Sequence, residues 1–230
     1  MFVGRRLALR VRLVIFDVDG VLVPVKSSWQ YLHDFFGVSR EAEVHRVMFE
    51  RGLIDYVRWM ELDVMLWVKA RGGPIHRSEL VEILSRIEVD PEAPAVSRWL
   101  KRRGVRIALV SGGVDLLVSR VAEVVGADIW MANKLSFDKR GYLVPRGVPL
   151  VGVWKDRAVK TIARALNIGL DSTMFVGDSI WDKPAMEIVG YPVRYRDDEG
   201  ILGDVARYEI RKLGELVELV KLIEDETGPL

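Results

Sequence analysis

Three short apolar runs, each followed by acidic, hydroxyl or glycine residues, constrain the fold of this chain more than any other feature. Residues 13–16 (LVIF), 105–110 (VRIALV) and 173–176 (TMFV) are largely apolar, which is typical of strands buried on both faces of a parallel sheet. Weaker candidates lie at residues 127–131 and 191–195. Helical patterns separate the runs, and this alternation predicts an α/β fold built on a parallel sheet.

One long segment, residues 27–87, breaks this alternation because it contains no strand-like run and predicts three or four helices. Asp90 and Pro91 have the pattern of a helix cap followed by a first helical residue. Residues 136–150, rich in glycine, proline and strand-forming residues, predict a hairpin or an extended excursion. Residues 210–224 predict an amphipathic helix, which could pack on the sheet or mediate dimerisation.

Composition and charge exclude several classes of protein. A net charge of +1 over 230 residues creates no field that attracts nucleic acid or an acidic membrane. The absence of cysteine excludes disulfides, thiolate catalysis and cysteine metal sites. Arginines interrupt the apolar N-terminus, and no stretch of about 18 uncharged apolar residues occurs, so neither a signal peptide nor a membrane span is predicted. We therefore expect a cytoplasmic protein.

The first chemical signal is the sequence Asp17-Val18-Asp19-Gly20, directly after the first predicted strand. Two carboxylates two residues apart can face one site if the chain turns there, and Gly20 lets the backbone approach a phosphate closely. Ligands of open parallel sheets bind at this edge of the strands. The alternative is an ordinary turn, since Asp-Gly is a common turn pair.

Two further signals follow the second strand and open a later helix. Ser111 and Gly112 offer a hydroxyl and backbone amides near a helix N-terminus, which suits an anion. A plain loop with a helix cap is the alternative. Lys155 begins a helix and could neutralise a phosphate, although most single lysines are solvated.

The fourth signal is the pair Asp178 and Asp182, just after residues 173–176. Two acids four residues apart at a strand-to-helix corner suit a hard, oxygen-preferring cation such as Mg²⁺. As an alternative, Asp178 caps a helix and Asp182 is an acid of its first turn. Each signal is weak or moderate alone, whereas their common order and strand-end placement are specific.

Together, the four signals resemble the motifs of the haloacid dehalogenase superfamily of phosphohydrolases: DxDG, a Ser or Thr after a strand, a Lys, and GDxxxD. The sequences LVSGG at 109–113 and MANKL at 131–135 are similar to those of the phosphoserine phosphatase group. The resemblance implies a Rossmann-like parallel sheet sandwiched by helices, with a small helical cap inserted after the first strand. The implied domains are a core at residues 1–24 and 89–230 and a cap at residues 25–88.

The resemblance also implies a mechanism. Asp17 would attack phosphorus to form an aspartyl-phosphate, while Asp19 would protonate the leaving oxygen and then activate water. Mg²⁺ would lie between Asp17, the backbone carbonyl of Asp19 and Asp178. The remaining implied roles are phosphate binding by Ser111, Gly112, Gly20 and Lys155, and orientation of Lys155 or of a metal-bound water by Asp182.

The chain departs from phosphoserine phosphatases where those enzymes hold their substrate. A gap-free count places Lys26 at the position of their amine-binding glutamate and Glu61 near that of their carboxylate-binding arginine. Either the two charges are exchanged, or Lys26 and Glu61 pair with each other or face water. Arg58, one helical turn before Glu61, is a further candidate cation. Trp181 replaces the asparagine that precedes the last motif aspartate.

We therefore expect an Mg²⁺-dependent hydrolase of a small phosphorylated metabolite, not specific for phosphoserine, that acts as a monomer or homodimer. Two other functions are compatible with the same motifs: a phosphomutase or phosphotransferase acting on a sugar phosphate, and a non-catalytic phosphate-binding protein. A dinucleotide-binding fold is disfavoured, because no GxGxxG follows the first strand.

Overall fold

The sheet sets the architecture of the computed structural model, which describes residues 10–197 and 199–225. Within these residues its strands are β1 (Leu13–Phe16), β2 (Arg106–Val114), β3 (Ile129–Phe137), β4 (Leu143–Val148), β5 (Thr173–Gly177), β6 (Tyr191–Tyr195) and β7 (Tyr208–Ile210). Their order is β4-β3-β2-β1-β5-β6-β7, and every neighbouring pair is parallel except β3 with β4. The predicted α/β fold with a parallel sheet is confirmed.

Helices cover both faces of this sheet and form a separate group after β1. In the described part of the chain they are α1 (Ser28–Phe36), α2 (Ser39–Glu50), α3 (Tyr56–Arg71), α4 (Arg77–Ser85), α5 (Ala93–Arg102), α6 (Asp115–Val125), α7 (Lys155–Ala165), α8 (Lys183–Met186) and α9 (Glu215–Asp225). None of these helices is long and apolar enough to cross a bilayer.

The central strand β1 is apolar throughout because it is buried on both faces. Leu13 and Ile15 pack into the layer that contains α7 and α8, whereas Val14 and Phe16 pack into the layer of α5, α6 and α9. Side chains of a strand alternate between its faces, so a strand covered on both sides needs apolar residues at every position. Burying each such side chain contributes about 1.5–3 kcal/mol.

The helices α1 to α4 form the insert that the sequence predicts between the first two strands. Trp67 of α3 is fully buried and stacks on Trp29 of α1, with 5.2 Å between ring centroids. The insert contacts the rest of the chain through α3 against β4 and α4 against α6. Leu80 and Leu84 of α4 join the apolar cluster on one face of the sheet, so the insert rests directly on the core.

Local details differ from the sequence prediction at two places. The helix expected to start at Asp90 begins at Ala93, because the Asp90 carboxylate accepts the N–H of Glu92 (2.8 Å) and forms a turn instead. The helix expected at residues 210–224 begins at Glu215, because Tyr208–Ile210 pairs with β6 as an edge strand. The hairpin predicted at residues 136–150 is confirmed by β3 and β4, while residues 1–9 of the predicted core lie outside the described residues.

Candidate active site

The candidate site begins where β1 ends, in the loop that carries Asp17. The main chain of Asp17 continues the sheet, because its N–H donates to the carbonyl of Val176 in β5 (2.9 Å). Its buried side chain accepts two hydrogen bonds, at Oδ1 from the N–H of Val18 (2.7 Å) and at Oδ2 from Nζ of Lys155 (2.6 Å). The strand fixes the position of this aspartate, and a buried lysine fixes its carboxylate.

Lys155 is not a solvated lysine, because its side chain is only 3% exposed and lies between two carboxylates. Its Nζ donates to Asp17 and, at 2.6 Å, to Oδ1 of Asp182. Burial by itself lowers the pKa of Lys155, but the charges and hydrogen bonds of the two aspartates outweigh burial and raise that pKa above its ordinary value. The ammonium therefore stays charged, as neutralising a bound phosphate requires.

Asp182 is held by hydrogen bonds from the residues just before it as well as by Lys155. Its Oδ2 accepts from the N–H of Asp178 (3.0 Å) and from the N–H (2.9 Å) and Oγ (3.0 Å) of Ser179. The side chain is fully buried, and these donors satisfy one of its oxygens. Asp182 is therefore held in contact with Lys155, while orientation of Lys155, one of the two roles that the resemblance implies, stays a prediction.

Three carboxylates have the arrangement of a cation site. Asp17, Asp178 and Asp182 each bring an oxygen within 4.8 Å of the others. Burial raises the pKa of Asp17, and the charges of Asp182 and Asp178 add to this effect, while Lys155 opposes it. Such crowding of buried negative charge favours a cation, and carboxylate oxygens are the donors that hard divalent cations prefer. The residues present therefore fit a divalent metal.

Asp19 presents one bonded and one unbonded carboxyl oxygen. Its Oδ2 accepts from both the N–H (2.7 Å) and the Oγ (2.8 Å) of Ser28, at the start of α1. Its buried Oδ1 has no hydrogen-bond partner among the described residues. Burial raises the pKa of Asp19, and the two bonds from Ser28 oppose that shift. A carboxyl group with a raised pKa and an unbonded oxygen can carry a proton to a leaving group.

The segment after the middle of β2 is held by a buried asparagine. Oγ of Ser111 accepts from the N–H of Gly113 (2.9 Å), and the Gly112 carbonyl accepts from Nδ2 of Asn133 (2.7 Å). Oδ1 of Asn133 accepts from the N–H of Gly152 (2.8 Å), shortly before Lys155. One side chain of β3 therefore ties the predicted phosphate-binding segment to the loop that leads to the catalytic lysine candidate.

Glycine is required at position 20 for a reason that the sequence does not show. Gly20 has φ +79°, and a Cβ there would lie 2.1 Å from Oδ2 of Asp178. Both the left-handed conformation and the closeness of that carboxylate exclude a side chain. The neighbour that needs this space is thus the carboxylate of the fourth motif, while phosphate binding by Gly20 stays a prediction.

Of the alternatives left open for Lys26 and Glu61, a pairing with each other is excluded by the structure. Nζ of Lys26 lies 2.6 Å from Oδ2 of Asp178, whereas Glu61 pairs with Arg58 of the same helix at 3.1 Å. The pairing differs because Lys26 follows the Asp17 loop and extends over the carboxyl edge of the sheet. Glu61 and Arg58 lie outside the set of described residues that line the cavity above this edge.

That cavity has a volume of 710 Å³ and lies between the helical insert and the sheet. Asp17, Asp19, Ser111, Lys155 and Asp178 line its floor. Its upper wall comes from the insert and includes Trp29, His33, Arg46, Tyr56, Trp59 and Asp63. The structure therefore brings residues of all four motifs to one cavity between the sheet and the insert.

Sequence reasoning missed several residues in or directly behind the wall of this cavity. Ser28 bonds the Asp19 carboxylate, but its only sequence signal is a helix-cap pattern. Asn133 bridges two loops, but its only sequence signal is its place in the MANKL stretch. Tyr56 is buried, which raises its pKa to about 12, and its hydroxyl accepts from Nδ2 of Asn133 (2.9 Å). Asp63 lies between two histidines of the insert, 2.8 Å from His45. Only the packing of α1 and α3 reveals these contacts.

With this geometry described, comparison with known proteins decides the family. A model of the haloacid dehalogenase-like hydrolase family matches residues 11–190. The chain belongs to the haloacid dehalogenase-like hydrolase family. The resemblance predicted from its four motifs is thereby confirmed. Phosphatases of this family use a divalent metal, and the acidic cluster of Asp17, Asp178 and Asp182 has a geometry that fits one.

Several curated relatives of this chain are phosphoserine phosphatases, and another is an (S)-2-haloacid dehalogenase from a Pseudomonas species, 26% identical over 75% of this chain. One of the phosphatases, from Archaeoglobus fulgidus, is 31% identical over 215 residues, which cover 92% of this chain and 60% of the relative. One from Methanocaldococcus jannaschii is 29% identical over 188 residues, which cover 80% of this chain and 85% of the relative. The chain spans less than two thirds of the length of the first of these phosphatases.

A solved structure described as a phospho-aspartyl intermediate analogue of phosphoserine phosphatase is also similar. It is 25% identical and superimposes with a TM-score of 0.73 over 91% of this chain and 98% of that chain. These comparisons confirm the predicted closeness of this hydrolase to the phosphoserine phosphatase group and the predicted Rossmann-like fold of its core.

Proposed function

We propose that this chain is an Mg²⁺-dependent phosphomonoester hydrolase that acts on a small phosphorylated metabolite through an aspartyl-phosphate at Asp17. The observation that carries the proposal is the pair of differently held carboxyl groups at the end of β1. Asp17 is fixed and kept next to the positive charge of Lys155, whereas Asp19 keeps an unbonded oxygen and a raised pKa. A nucleophile and a proton donor need these two different environments.

The first step transfers the phosphoryl group to the protein. A carboxylate oxygen of Asp17 forms a bond to phosphorus as the bond between phosphorus and the leaving oxygen breaks. Asp19 gives its proton to that oxygen, so the product leaves as a neutral alcohol. In the second step Asp19 takes a proton from water, the water oxygen attacks phosphorus, and phosphate leaves Asp17.

The other motif residues would bind and neutralise the phosphate. Ser111, Gly112 and Gly20 would hold its oxygens, and the buried ammonium of Lys155 would offset the repulsion between it and Asp17. Asp17, Asp178 and the backbone carbonyl of Asp19 would hold Mg²⁺, which supplies further charge neutralisation at the phosphate. Asp182 supports this set by fixing Lys155.

Residues 25–88 would act as the cap that covers the site, on a core of residues 1–24 and 89–230. The substrate would differ from phosphoserine, because a lysine occupies the position that holds the substrate amine in the resembled enzymes. Cap residues such as Trp29 and Tyr56 would then contact the leaving group, since they line the wall of the cavity opposite Asp17.

The decisive test replaces Asp17 by asparagine. With Mg²⁺ and an aryl phosphate, Asp17→Asn should lower kcat by at least about a thousandfold, while Asp204→Asn, which changes an exposed carboxylate paired with Lys183, should leave kcat unchanged. Trapping of labelled phosphate on Asp17 after an acid quench would support the intermediate. Undiminished turnover of Asp17→Asn would contradict the mechanism, and transfer of phosphate to an added alcohol without phosphate release would favour a phosphotransferase.

A further inference from the structure

The ion pair between Lys26 and Asp178 joins an exposed cation to a buried anion. The side chain of Lys26 is 71% exposed, whereas that of Asp178 is 3% exposed. The backbone below Lys26 is anchored, because the carbonyl of Val25 accepts the N–H of Gly20 (2.7 Å). The four-carbon stem of a lysine is flexible, so the ammonium can leave Asp178 without any movement of the main chain.

Lys26 differs from the other cations that line the described cavity wall. Lys155 is buried between two carboxylates. Arg46 pairs with Glu43 and Glu50 of its own helix. Arg196 lies over the ring of Tyr195 and donates to a backbone carbonyl. Among these described cations, Lys26 alone shares its carboxylate partner with the predicted metal site while remaining largely exposed.

We propose that Lys26 is an exchangeable counter-ion that sets the substrate class. Without a divalent metal it neutralises Asp178; when the metal takes that carboxylate, the released ammonium binds an anionic substituent on the leaving group. The preferred substrates are therefore phosphomonoesters whose alcohol carries a carboxylate or a second phosphate. This inference rests on the proposed phosphatase function, because it assigns the substrate of the same site.

The surrounding acids favour an anion on the substrate as the new partner of Lys26. Glu43 is paired with Arg46, and Asp63 contacts His33 and His45. Oxygens of Asp197 accept from the N–H groups of Ile201 and Leu202. Apart from the floor carboxylates Asp17, Asp19 and Asp178, the remaining acid among the described residues that line the cavity is Glu199, and it is the competitor that an experiment must separate from the substrate.

The exchange is tested first without substrate, by titration of the purified protein with Mn²⁺ followed by electron paramagnetic resonance. Lys26→Met should bind Mn²⁺ about three- to tenfold more tightly than the wild type, because no tethered cation competes for Asp178. Lys160→Met is the matched control, since Lys160 also pairs with an aspartate (2.9 Å) but lies outside the described cavity wall. Equal affinity in Lys26→Met and the wild type would overturn the exchange.

The substrate class is tested with two esters of nearly equal size, phosphoglycolate and ethylene glycol monophosphate. The wild type should prefer phosphoglycolate in kcat/KM, and Lys26→Met should lose about ten- to a hundredfold of that preference. Lys26→Glu should instead favour phosphoethanolamine, whose alcohol carries a cation.

Each failure has a distinct signature. If both esters are hydrolysed and Lys26→Met keeps the wild-type ratio, the substrate assignment is overturned while the phosphatase function stands. If the double variant Lys26→Met/Glu199→Gln regains the wild-type preference for phosphoglycolate, the Lys26 ammonium acts by neutralising Glu199. That result would also overturn the substrate assignment. If the wild type hydrolyses no ester, the proposed function fails, and the Mn²⁺ titration still decides the exchange.

Discussion

Ser28 holds the carboxyl group of Asp19, the proposed proton donor, through both its backbone N–H and its hydroxyl. The side chain is fully buried; Oγ donates to Oδ2 of Asp19 (2.8 Å) and accepts from the N–H of Val114 (3.0 Å). In Ser28→Ala the backbone N–H of residue 28 still donates to Asp19, so one of two restraints on the carboxyl group remains.

The magnitude follows from the two bonds that are lost. A hydrogen bond to a charged group contributes about 1.5–3 kcal/mol, and the buried N–H of Val114 is left without its acceptor. We expect the free energy of unfolding to fall by about 1–3 kcal/mol. If the hydroxyl orients Asp19 in the transition state, kcat/KM for an alkyl phosphate should fall about ten- to a hundredfold.

The pH dependence separates orientation from stability. The two bonds from Ser28 lower the pKa of Asp19 against the effect of burial, so removal of the hydroxyl raises this pKa further. In the proposed first step, Asp19 must be protonated. The alkaline limb of kcat/KM should therefore move to higher pH in Ser28→Ala, even though the rate at the plateau falls.

Ser97→Ala is the matched control for these measurements. Ser97 is buried, and its Oγ donates to the carbonyl of Val125 (2.6 Å) in the layer of α5, away from the cavity wall. It should lose comparable stability in urea denaturation and keep the pH profile of the wild type. If Ser28→Ala shows the same kcat/KM and the same alkaline limb as Ser97→Ala, the hydroxyl does not position Asp19.

Two further predictions concern the acidic cluster. Gly20→Ala and Gly37→Ala both force alanine into a positive φ, and the strained backbone should cost each variant about 1–2 kcal/mol of stability. Only the Cβ at position 20 meets Asp178 (2.1 Å), so only Gly20→Ala should weaken Mn²⁺ binding in titration. Equal Mn²⁺ affinities of the two variants would contradict this. Burial raises the pKa of Asp178 above its unfolded value of 3.8, so its contribution to stability is present below that pH and is lost as pH rises through the raised pKa. Urea denaturation in EDTA measures the free energy of unfolding of the wild type and of Asp178→Asn. The difference, wild type minus variant, should therefore decrease from acidic to neutral pH, and an increase in this difference would refute the sign.

Local sequence information predicted the parts of this protein that depend on neighbours in the chain. Apolar runs such as Leu13–Phe16 specify buried strands because every side chain of such a strand meets a covered face. The carboxyl ends of parallel strands meet at one edge of the sheet, so the order of the four motifs was sufficient to place Asp17, Ser111 and Asp178 around one cavity.

Tertiary structure decided which long-range partners those residues meet. Asp19 accepts hydrogen bonds from Ser28, and Asp178 pairs with Lys26 rather than with a neighbour in the sequence. Lys26 and Asp178 are 152 positions apart in the chain, and any exposed acid offers a lysine nearly the same weak ion pair. Charge patterns therefore could not distinguish Asp178 from Glu61 as its partner. Only the packing of the insert on the sheet, which brings the loop before α1 over the end of β5, makes that choice.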